Sequence, residues 1–150
     1  MDQLNAVEIL LVEDNPQDAE LIVRAFREQN LANHICVAQD GEEALDFIFC
    51  RGKFSDRNPS KPMKVVFLDL KLPKVDGLEV LKELRTNEKT KKLPVVIVTS
   101  SREDPDIQTA YDLGANSYIV KPVQFDAFRQ AMSNAGLFWL LVNQPPKGNF

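Results

Sequence analysis

The sequence predicts a doubly wound α/β fold, in which helices cover both faces of a parallel sheet. Five short apolar runs of strand length alternate with five helix-like segments along the 150 residues. Apolar strands that alternate with helices are typical of parallel sheets buried on both faces. The length suits one compact domain with a substantial core. We therefore expect a (βα)5 three-layer sandwich.

The first half of the chain contains two strand–helix units. An apolar strand at Val7–Val12 precedes residues 15–18 (NPQD), which supply the N-cap, first-turn proline and acidic residue of a helix start. A second strand at Ile35–Ala38 precedes residues 40–43 (DGEE), a capping-box pattern. The inward residues of these helices would be Leu21, Ile22, Ala25 and Phe26, and Ala44, Leu45, Ile48 and Phe49.

The second half contains three more units after a polar, proline-containing segment at residues 51–63, which we expect to be a long surface loop. Right-handed crossovers at this length favour the flavodoxin-like sheet order 2-1-3-4-5. The predicted strands are Val65–Leu68, Pro94–Thr99 and Ser117–Val120, and the helices begin at Asp76-Gly77, Asp104-Pro105 and Phe125, the second ending at Gly114.

Acidic residues follow two strands that this order makes neighbours. Glu13 and Asp14 follow the first strand, and Asp69 follows the third. Three carboxylates in one crevice repel one another, so they must take up protons or bind a cation. Mg²⁺ fits best, because it accepts few protein ligands, all of them oxygen, and keeps its waters. Each acid taken alone could instead be a solvated strand end or a helix cap.

Two further polar side chains end strands at the same edge of the sheet. Thr99 offers a hydroxyl and Lys121 a mobile cation. Such groups around a carboxylate can hold a phosphoryl group, whose transfer requires little beyond in-line positioning and charge neutralisation. Asp69 can be the nucleophile, since a carboxylate can form an acyl phosphate.

The composition of the chain argues against several classes of function. A net charge of −4 disfavours non-specific binding to nucleic acid or to an anionic membrane surface. The N-terminus has no signal-peptide pattern and no apolar run long enough to span a membrane. Cys36 and Cys50 lack the spacing of a disulfide framework or redox motif, and His34 alone makes a zinc site improbable. We expect a cytoplasmic protein.

Four segments resemble the receiver domain of two-component response regulators, over about residues 7–132. They are LLVEDN (10–15), VVFLDLKLPKVDG (65–77), VVIVTSS (95–101) and SYIVKP (117–122). The separations between Asp69, Thr99 and Lys121 also match. The resemblance implies a phosphoacceptor signalling protein, not an enzyme, that receives a phosphoryl group from a histidine kinase.

The resemblance also implies roles for the acidic residues. Asp69 would be phosphorylated. Asp14 and Asp69 would ligate Mg²⁺ directly, with Glu13 as the second member of the acid pair and the Lys71 backbone carbonyl as a third ligand. Lys71 and Ser101, two residues beyond Asp69 and Thr99, carry neither an acid nor an amide to orient an attacking water. We therefore expect slow self-dephosphorylation, which an acyl phosphate no longer-lived than free acetyl phosphate would contradict.

A second set of implied roles concerns switching. Lys121 would pair with one phosphoryl oxygen and Thr99 would swing in to hydrogen-bond another. Tyr118 would turn inward behind Thr99, although an ordinary strand residue packed beside the last helix is the simpler reading. By the same resemblance the Lys121–Pro122 peptide bond would be cis.

The C-terminal segment predicts a partner surface. Six consecutive apolar residues, 137–142, would cover every side of a helix, so burial of one face leaves others exposed. This segment could fold back on its own domain. We favour a homodimer anchored by Phe138 and Trp139. The receiver domain would span residues 1–143, followed by a proline-containing tail at 144–150.

The 51–63 segment and this tail resemble the small response regulators that pair with cyanobacterial phytochromes. That resemblance implies a light-regulated histidine kinase as donor and dimers built on the face of the fourth helix, fifth strand and fifth helix. Because the chain stops soon after the fifth helix, we expect output through an unidentified downstream protein and not through DNA.

Three other readings compete. A Mg²⁺-dependent aspartyl-phosphate hydrolase would carry its acids after the first strand, not the third. A mononucleotide or flavin binder would need a Gly-rich phosphate loop where residues 13–18 read EDNPQD. An unphosphorylated pseudo-receiver would lack one of Asp14, Asp69, Thr99 or Lys121, and all four are present.

Overall fold

The computed structural model describes residues 7–31, 35–58 and 63–146, so His34 lies outside the described residues. The strands are β1 (Ile9–Val12), β2 (Ile35–Ala38), β3 (Val65–Leu68), β4 (Val95–Thr99) and β5 (Ser117–Val120). The helices are α1 (Pro16–Glu28), α2 (Gly41–Ile48), α3 (Gly77–Thr86), α4 (Asp104–Asp112) and α5 (Phe125–Leu137).

The five strands form one parallel sheet in the order β2-β1-β3-β4-β5, which confirms the predicted topology. In this register Val12 lies opposite Leu68, so the residues that follow β1 and β3 are neighbours. The backbone amide of Asp69 donates to the carbonyl of Val12 at 3.1 Å, which extends the pairing by one residue. The sheet therefore brings Glu13 and Asp69 to one edge.

Three helix starts follow the predicted chemistry. The Asn15 side chain accepts hydrogen bonds from the amides of Gln17 and Asp18. Asp40 and Asp76 likewise accept from the amides three residues further on. Helix α4 begins at Asp104, as predicted, and Glu103 occupies the cap position without a side-chain bond.

Apolar side chains fill both faces of the sheet. Helices α1 and α5 cover one face, and α2, α3 and α4 contribute to the core on the other. The inward residues predicted for α1 are all buried. In α2 the buried aromatic is Phe47, while Phe49 follows the last helical residue and is half-buried.

The segment before β3 departs from the prediction of a polar surface loop. It forms a 3₁₀ turn at Gly52–Phe54, and Phe54, Arg57 and Met63 are buried. The Arg57 guanidinium donates to the carbonyls of Phe47 and Ile48 at 3.1 and 3.2 Å. It also lies 4.5 Å from the centre of the Phe47 ring, and the Phe54 ring meets Phe47 edge-on. These contacts at the end of α2 draw the segment into the core. Residues 59–62 lie outside the described part.

The last helix changes its winding near its end. A π-helix, Phe138–Val142, continues α5, and the Asn143 amide donates to the Phe138 carbonyl. Leu140 is buried, whereas Phe138, Leu141 and Val142 are exposed. Trp139 is half-buried against the α1–α5 face and contacts the Phe138 ring edge-on. Within the described ranges, no helix is both long and apolar enough to traverse a bilayer.

Candidate functional site

Three carboxylates meet at the carboxyl edge of the sheet, as the sequence predicted. One oxygen from each of Glu13, Asp14 and Asp69 lies within 4.8 Å of the others. Glu13 and Asp69 are 2% and 7% exposed, while Asp14 faces solvent. The crevice therefore holds two buried carboxylates, those of Glu13 and Asp69, and is open to solvent at Asp14.

This concentration of charge shifts the protonation of Glu13. Burial, together with the nearby charge of Asp69, raises the pKa of its carboxyl group from 4.5 to about 7, against the opposing effect of Lys121. The Glu13 carboxyl group therefore holds a proton more readily than an exposed glutamate does.

Lys121 is the cation at the centre of this cluster. Its Nζ lies 2.6 Å from Glu13 Oε1, 2.9 Å from Asp18 Oδ2 and 3.1 Å from Asp69 Oδ2. Burial by itself would lower the pKa of Lys121, but the hydrogen bonds to Glu13 and Asp18 and the charge of Asp69 outweigh it and raise that pKa above its ordinary value. Lys121 is therefore charged and shared among three acids.

The donor set fits a hard divalent cation. All three candidate ligands are carboxylates, and the open side at Asp14 leaves room for metal-bound waters. Lys71 begins the turn after Asp69, and its backbone amide lies 3.4 Å from Asp69 Oδ1. This contact places the Lys71 backbone beside the acids.

A cleft of about 360 Å³ opens above Asp69. Thr99 ends β4 there, and is 1% exposed. Its hydroxyl oxygen lies 3.4 Å from the backbone amide of Ser101. The cleft is lined by Asp69, Lys71, Thr99, Ser100, Ser101 and Arg102, among others. Thr99 and Asp69 therefore line the same cleft.

Tyr118 lies beside the cleft and not in its lining. Its side chain is half-buried, and its hydroxyl donates to the Ser101 carbonyl at 2.9 Å. Burial raises the pKa of this phenol, which keeps it a hydrogen-bond donor at neutral pH. The Ser101 hydroxyl in turn donates to Asp106 Oδ2 at 2.5 Å. Tyr118, the β4–α4 loop and α4 are thus joined by hydrogen bonds.

The expectation of a cis bond before Pro122 is wrong: the Lys121–Pro122 peptide is trans. The trans form is the intrinsically favoured one for a bond before proline. In this backbone geometry Lys121 Nζ already reaches Asp69, so the reach of the lysine requires no cis bond.

Sequence reasoning missed two residues at the site. Asp18 was interpreted only as a favourable charge in the first turn of α1, yet it pairs with Lys121. Its place in the first turn after β1 puts it at the same edge as the strand ends, and this was the available signal. Arg102 lies three residues after Thr99 and lines the cleft. The loop conformation that aims it there has no clear sequence pattern.

Comparison with known proteins agrees with this geometry. The response regulator receiver domain family matches residues 9–133. The probable methanogenesis regulatory protein FilR2 of Methanothrix harundinacea is 38% identical over 92% of this chain and 86% of that protein. Response regulator Rcp1 of Synechocystis sp. is 33% identical over 88% of each.

Solved structures match across nearly the whole chain. The phosphorylated cyanobacterial phytochrome response regulator RcpA has a TM-score of 0.85 at 33% identity, covering 93% of this chain and 97% of its own. The Mn²⁺-bound form of Rcp1 has the same TM-score at 30% identity, with coverages of 93% and 98%. The bacteriophytochrome response regulator AtBRR is 49% identical, with a TM-score of 0.70 and coverages of 91% and 96%.

The family match covers all five strands and all but the last four residues of α5. Its members are signalling proteins of two-component systems that act with histidine kinases and bind divalent metal. The chain belongs to the response regulator receiver domain family.

Proposed function

We propose that the chain is a phosphoacceptor response regulator, in which the Asp69 carboxylate accepts a phosphoryl group from a histidine kinase with the help of Mg²⁺. The observation that carries this proposal is the setting of Asp69. This carboxylate is 7% exposed, is one of three clustered carboxylates, lies 3.1 Å from Lys121 Nζ and opens to a cleft that also holds Thr99.

In the proposed reaction an Asp69 oxygen attacks phosphorus in line with the leaving group, and the bond between phosphorus and the donor breaks. Glu13, Asp14, Asp69 and the Lys71 carbonyl would hold the metal ion, directly or through its waters. Mg²⁺ supplies neutralisation of the phosphoryl oxygens when bound. The chain itself contributes the fixed position of Asp69 at the end of β3.

Lys121 changes partners in this reaction. In the unphosphorylated protein it bonds three carboxylates, and Asp69 is its most distant partner at 3.1 Å. Once Asp69 is an acyl phosphate, a phosphoryl oxygen carries the negative charge and takes that place. Thr99 donates its hydroxyl to another phosphoryl oxygen from the end of the neighbouring strand β4.

Tyr118 reports this change to the surface. Inward rotation of its ring would break the hydrogen bond to the Ser101 carbonyl, and that bond belongs to the chain of contacts running to Asp106 in α4. A movement of Thr99 towards the phosphoryl group would allow Tyr118 to rotate inward. Loss of the Tyr118 hydrogen bond would then alter the face formed by α4, β5 and α5. That face would carry the output to a downstream protein.

The donor we propose is a phytochrome-type histidine kinase. RcpA is a phytochrome response regulator and AtBRR a bacteriophytochrome response regulator, and both align with more than nine-tenths of this chain. The acyl phosphate would be lost slowly, because Lys71 and Ser101 present no carboxylate or amide to an attacking water.

Intact mass after incubation with acetyl phosphate and Mg²⁺ tests the phosphoacceptor. We expect one added phosphoryl group in the wild type and in Asp112→Asn, a matched substitution at an exposed residue of α4. Asp69→Asn and a chelator should each abolish the adduct. An adduct that survives Asp69→Asn would refute the assignment. No adduct in the wild type, with acetyl phosphate or a phosphorylated phytochrome kinase, would leave an unphosphorylated binding module.

We also propose a homodimer that uses the exposed end of α5. Phe138 is 46% exposed, and Leu141 and Val142 beside it are more exposed still, which supports a partner surface. Trp139 would contribute through its contact with Phe138. Gel filtration of the Phe138→Ala/Trp139→Ala double variant should show a monomer where the wild type is a dimer. An unchanged dimer would remove these residues from the interface.

A further inference from the structure

The cleft above Asp69 contains a cation that the proposed transfer does not use. Arg102 is exposed in the loop between β4 and α4 and lines this cleft. Within the described ranges, its guanidinium group makes neither an ion pair nor a side-chain hydrogen bond. Lys121, by contrast, is bound by three carboxylates. Arg102 is therefore free to bind an anion in the cleft.

Arg102 also lines a second cleft. This one, of about 440 Å³, is bounded by Lys121, Pro122 and Phe125 among others. Ser100 and Arg102 are the residues common to both clefts. Because an in-line displacement sends the leaving group away from the Asp69 oxygen, it would depart towards the exposed side of the cleft, to which Arg102 belongs.

The position of Arg102 matters because of the other charges around the cleft. Glu13, Asp14 and Asp69 repel an approaching phosphate dianion. On the outer lining Glu103 adds a negative charge, while Lys71 and Arg102 are positive. Lys71 lies in the turn proposed to hold the metal through its carbonyl. Arg102 is the cation of this lining that plays no part in the proposed acceptor or metal site.

We propose that Arg102 selects the phosphoryl donor, favouring acyl phosphates, whose leaving group departs as a carboxylate anion. This inference rests on Asp69 being the phosphoacceptor. An acetyl phosphate dianion and the Asp69 carboxylate give acetate and the Asp69 acyl phosphate dianion. The new bond joins Asp69 oxygen to phosphorus, the bond from phosphorus to the acetyl oxygen breaks, and its electron pair leaves with acetate. Three negative charges are present before and after, and no proton is transferred.

A donor with a nitrogen–phosphorus bond releases a leaving group of different charge. Phosphoramidate carries one net negative charge and releases neutral ammonia, as phosphohistidine releases a neutral imidazole. No anion develops on the departing group, so a nearby guanidinium gains little interaction in the transition state. The two donor classes share the attack by Asp69 and differ in the charge that leaves.

The test compares the two donors in one protein. Second-order rate constants for formation of the Asp69 adduct are measured by intact mass at saturating Mg²⁺ and low salt. The proteins are the wild type, Arg102→Gln, Arg102→Lys and Arg27→Gln. Arg27 is exposed in the last turn of α1, so its substitution matches the chemical change and the loss of one charge away from the cleft.

We expect Arg102→Gln to slow phosphorylation by acetyl phosphate roughly threefold to tenfold and by phosphoramidate less than twofold. Arg102→Lys should retain most of the acetyl phosphate rate, and Arg27→Gln should change neither rate. The acetyl phosphate effect should shrink in high salt. An equal slowing with both donors, or none with either, would overturn the selection by Arg102 and leave Asp69 as the acceptor. Absence of any wild-type adduct would instead overturn the acceptor itself.

Discussion

Lys121 and Arg57 are both buried cations, and the groups that compensate their charges differ. Lys121 is 8% exposed and lies among three carboxylates. Arg57 is 3% exposed and donates to two backbone carbonyls at the end of α2 while stacking on Phe47. A cation held by side-chain charges can exchange one of them for a phosphoryl oxygen. A cation held by backbone dipoles and a ring has fixed partners, so we interpret Arg57 as structural and Lys121 as functional.

The largest expected effect concerns Arg57. Substitution Arg57→Met removes the donor to the last carbonyls of α2 and the contact with the Phe47 ring. We expect the free energy of unfolding to fall by roughly 3–5 kcal/mol, because buried carbonyls lose their charged donor and the ring loses its cation. The measurement is urea denaturation followed by circular dichroism.

A matched control is Arg51→Met, which removes an exposed arginine 3.6 Å from Asp46 and should cost under about 0.5 kcal/mol. The phosphorylation rate of folded Arg57→Met should stay within about twofold of the wild type. A loss of phosphorylation in a folded variant would show that Arg57 is not merely structural.

A smaller effect is expected from Lys121→Met, and it should depend on metal. Without Mg²⁺, Glu13 and Asp69 lose their shared cation, and the free energy of unfolding should fall by roughly 2–3 kcal/mol. Saturating Mg²⁺ should restore most of that loss, because the ion supplies the missing positive charge to the folded state.

Urea denaturation with and without Mg²⁺ measures this difference, with Lys82→Met, at an exposed position of α3, as the control. If Mg²⁺ stabilises Lys121→Met no more than it stabilises the wild type, the lysine and the metal do not serve the same carboxylates.

The smallest effect is a pH dependence set by Glu13. Its pKa in the folded protein is about 7, above the ordinary 4.5, so the unfolded chain releases this proton first. The contribution to stability is complete below pH 4.5 and is lost as pH rises through 7. In a metal-free buffer the wild type should lose roughly 2 kcal/mol more between pH 5 and 7.5 than Glu13→Gln does. Parallel pH profiles for the two proteins would contradict the raised pKa.

The same two cations show what the sequence could predict. Lys121 and the acids were placed correctly, because they follow apolar strands and the carboxyl ends of parallel strands meet at one edge. The order β2-β1-β3-β4-β5 followed from alternation and crossover handedness alone.

Arg57 could not be found in this way. Its partners are backbone carbonyls, which every residue carries, so no residue pattern marks the contact. Phe54 and Met63 were likewise hidden in a segment whose composition is that of a loop. To predict the pairing of Asp18 with Lys121, one must know the direction of the Asp18 side chain, and helix-capping rules do not give it.

The π-helical winding at Phe138–Val142 gives this stretch of the last helix a tolerance to a change in length. A π turn holds one residue more than an α turn, so deletion of a single residue there would restore ordinary winding. Successive residues of an α-helix differ by about 100° around its axis. The loss of one residue in the wide turn would be absorbed there, so Leu141 and Val142 would be spared the rotation that the same deletion imposes in a plain α-helix. The exposed surface at this end can therefore keep its direction while the helix changes in length by one residue, and the carboxylates at the edge of the sheet are untouched.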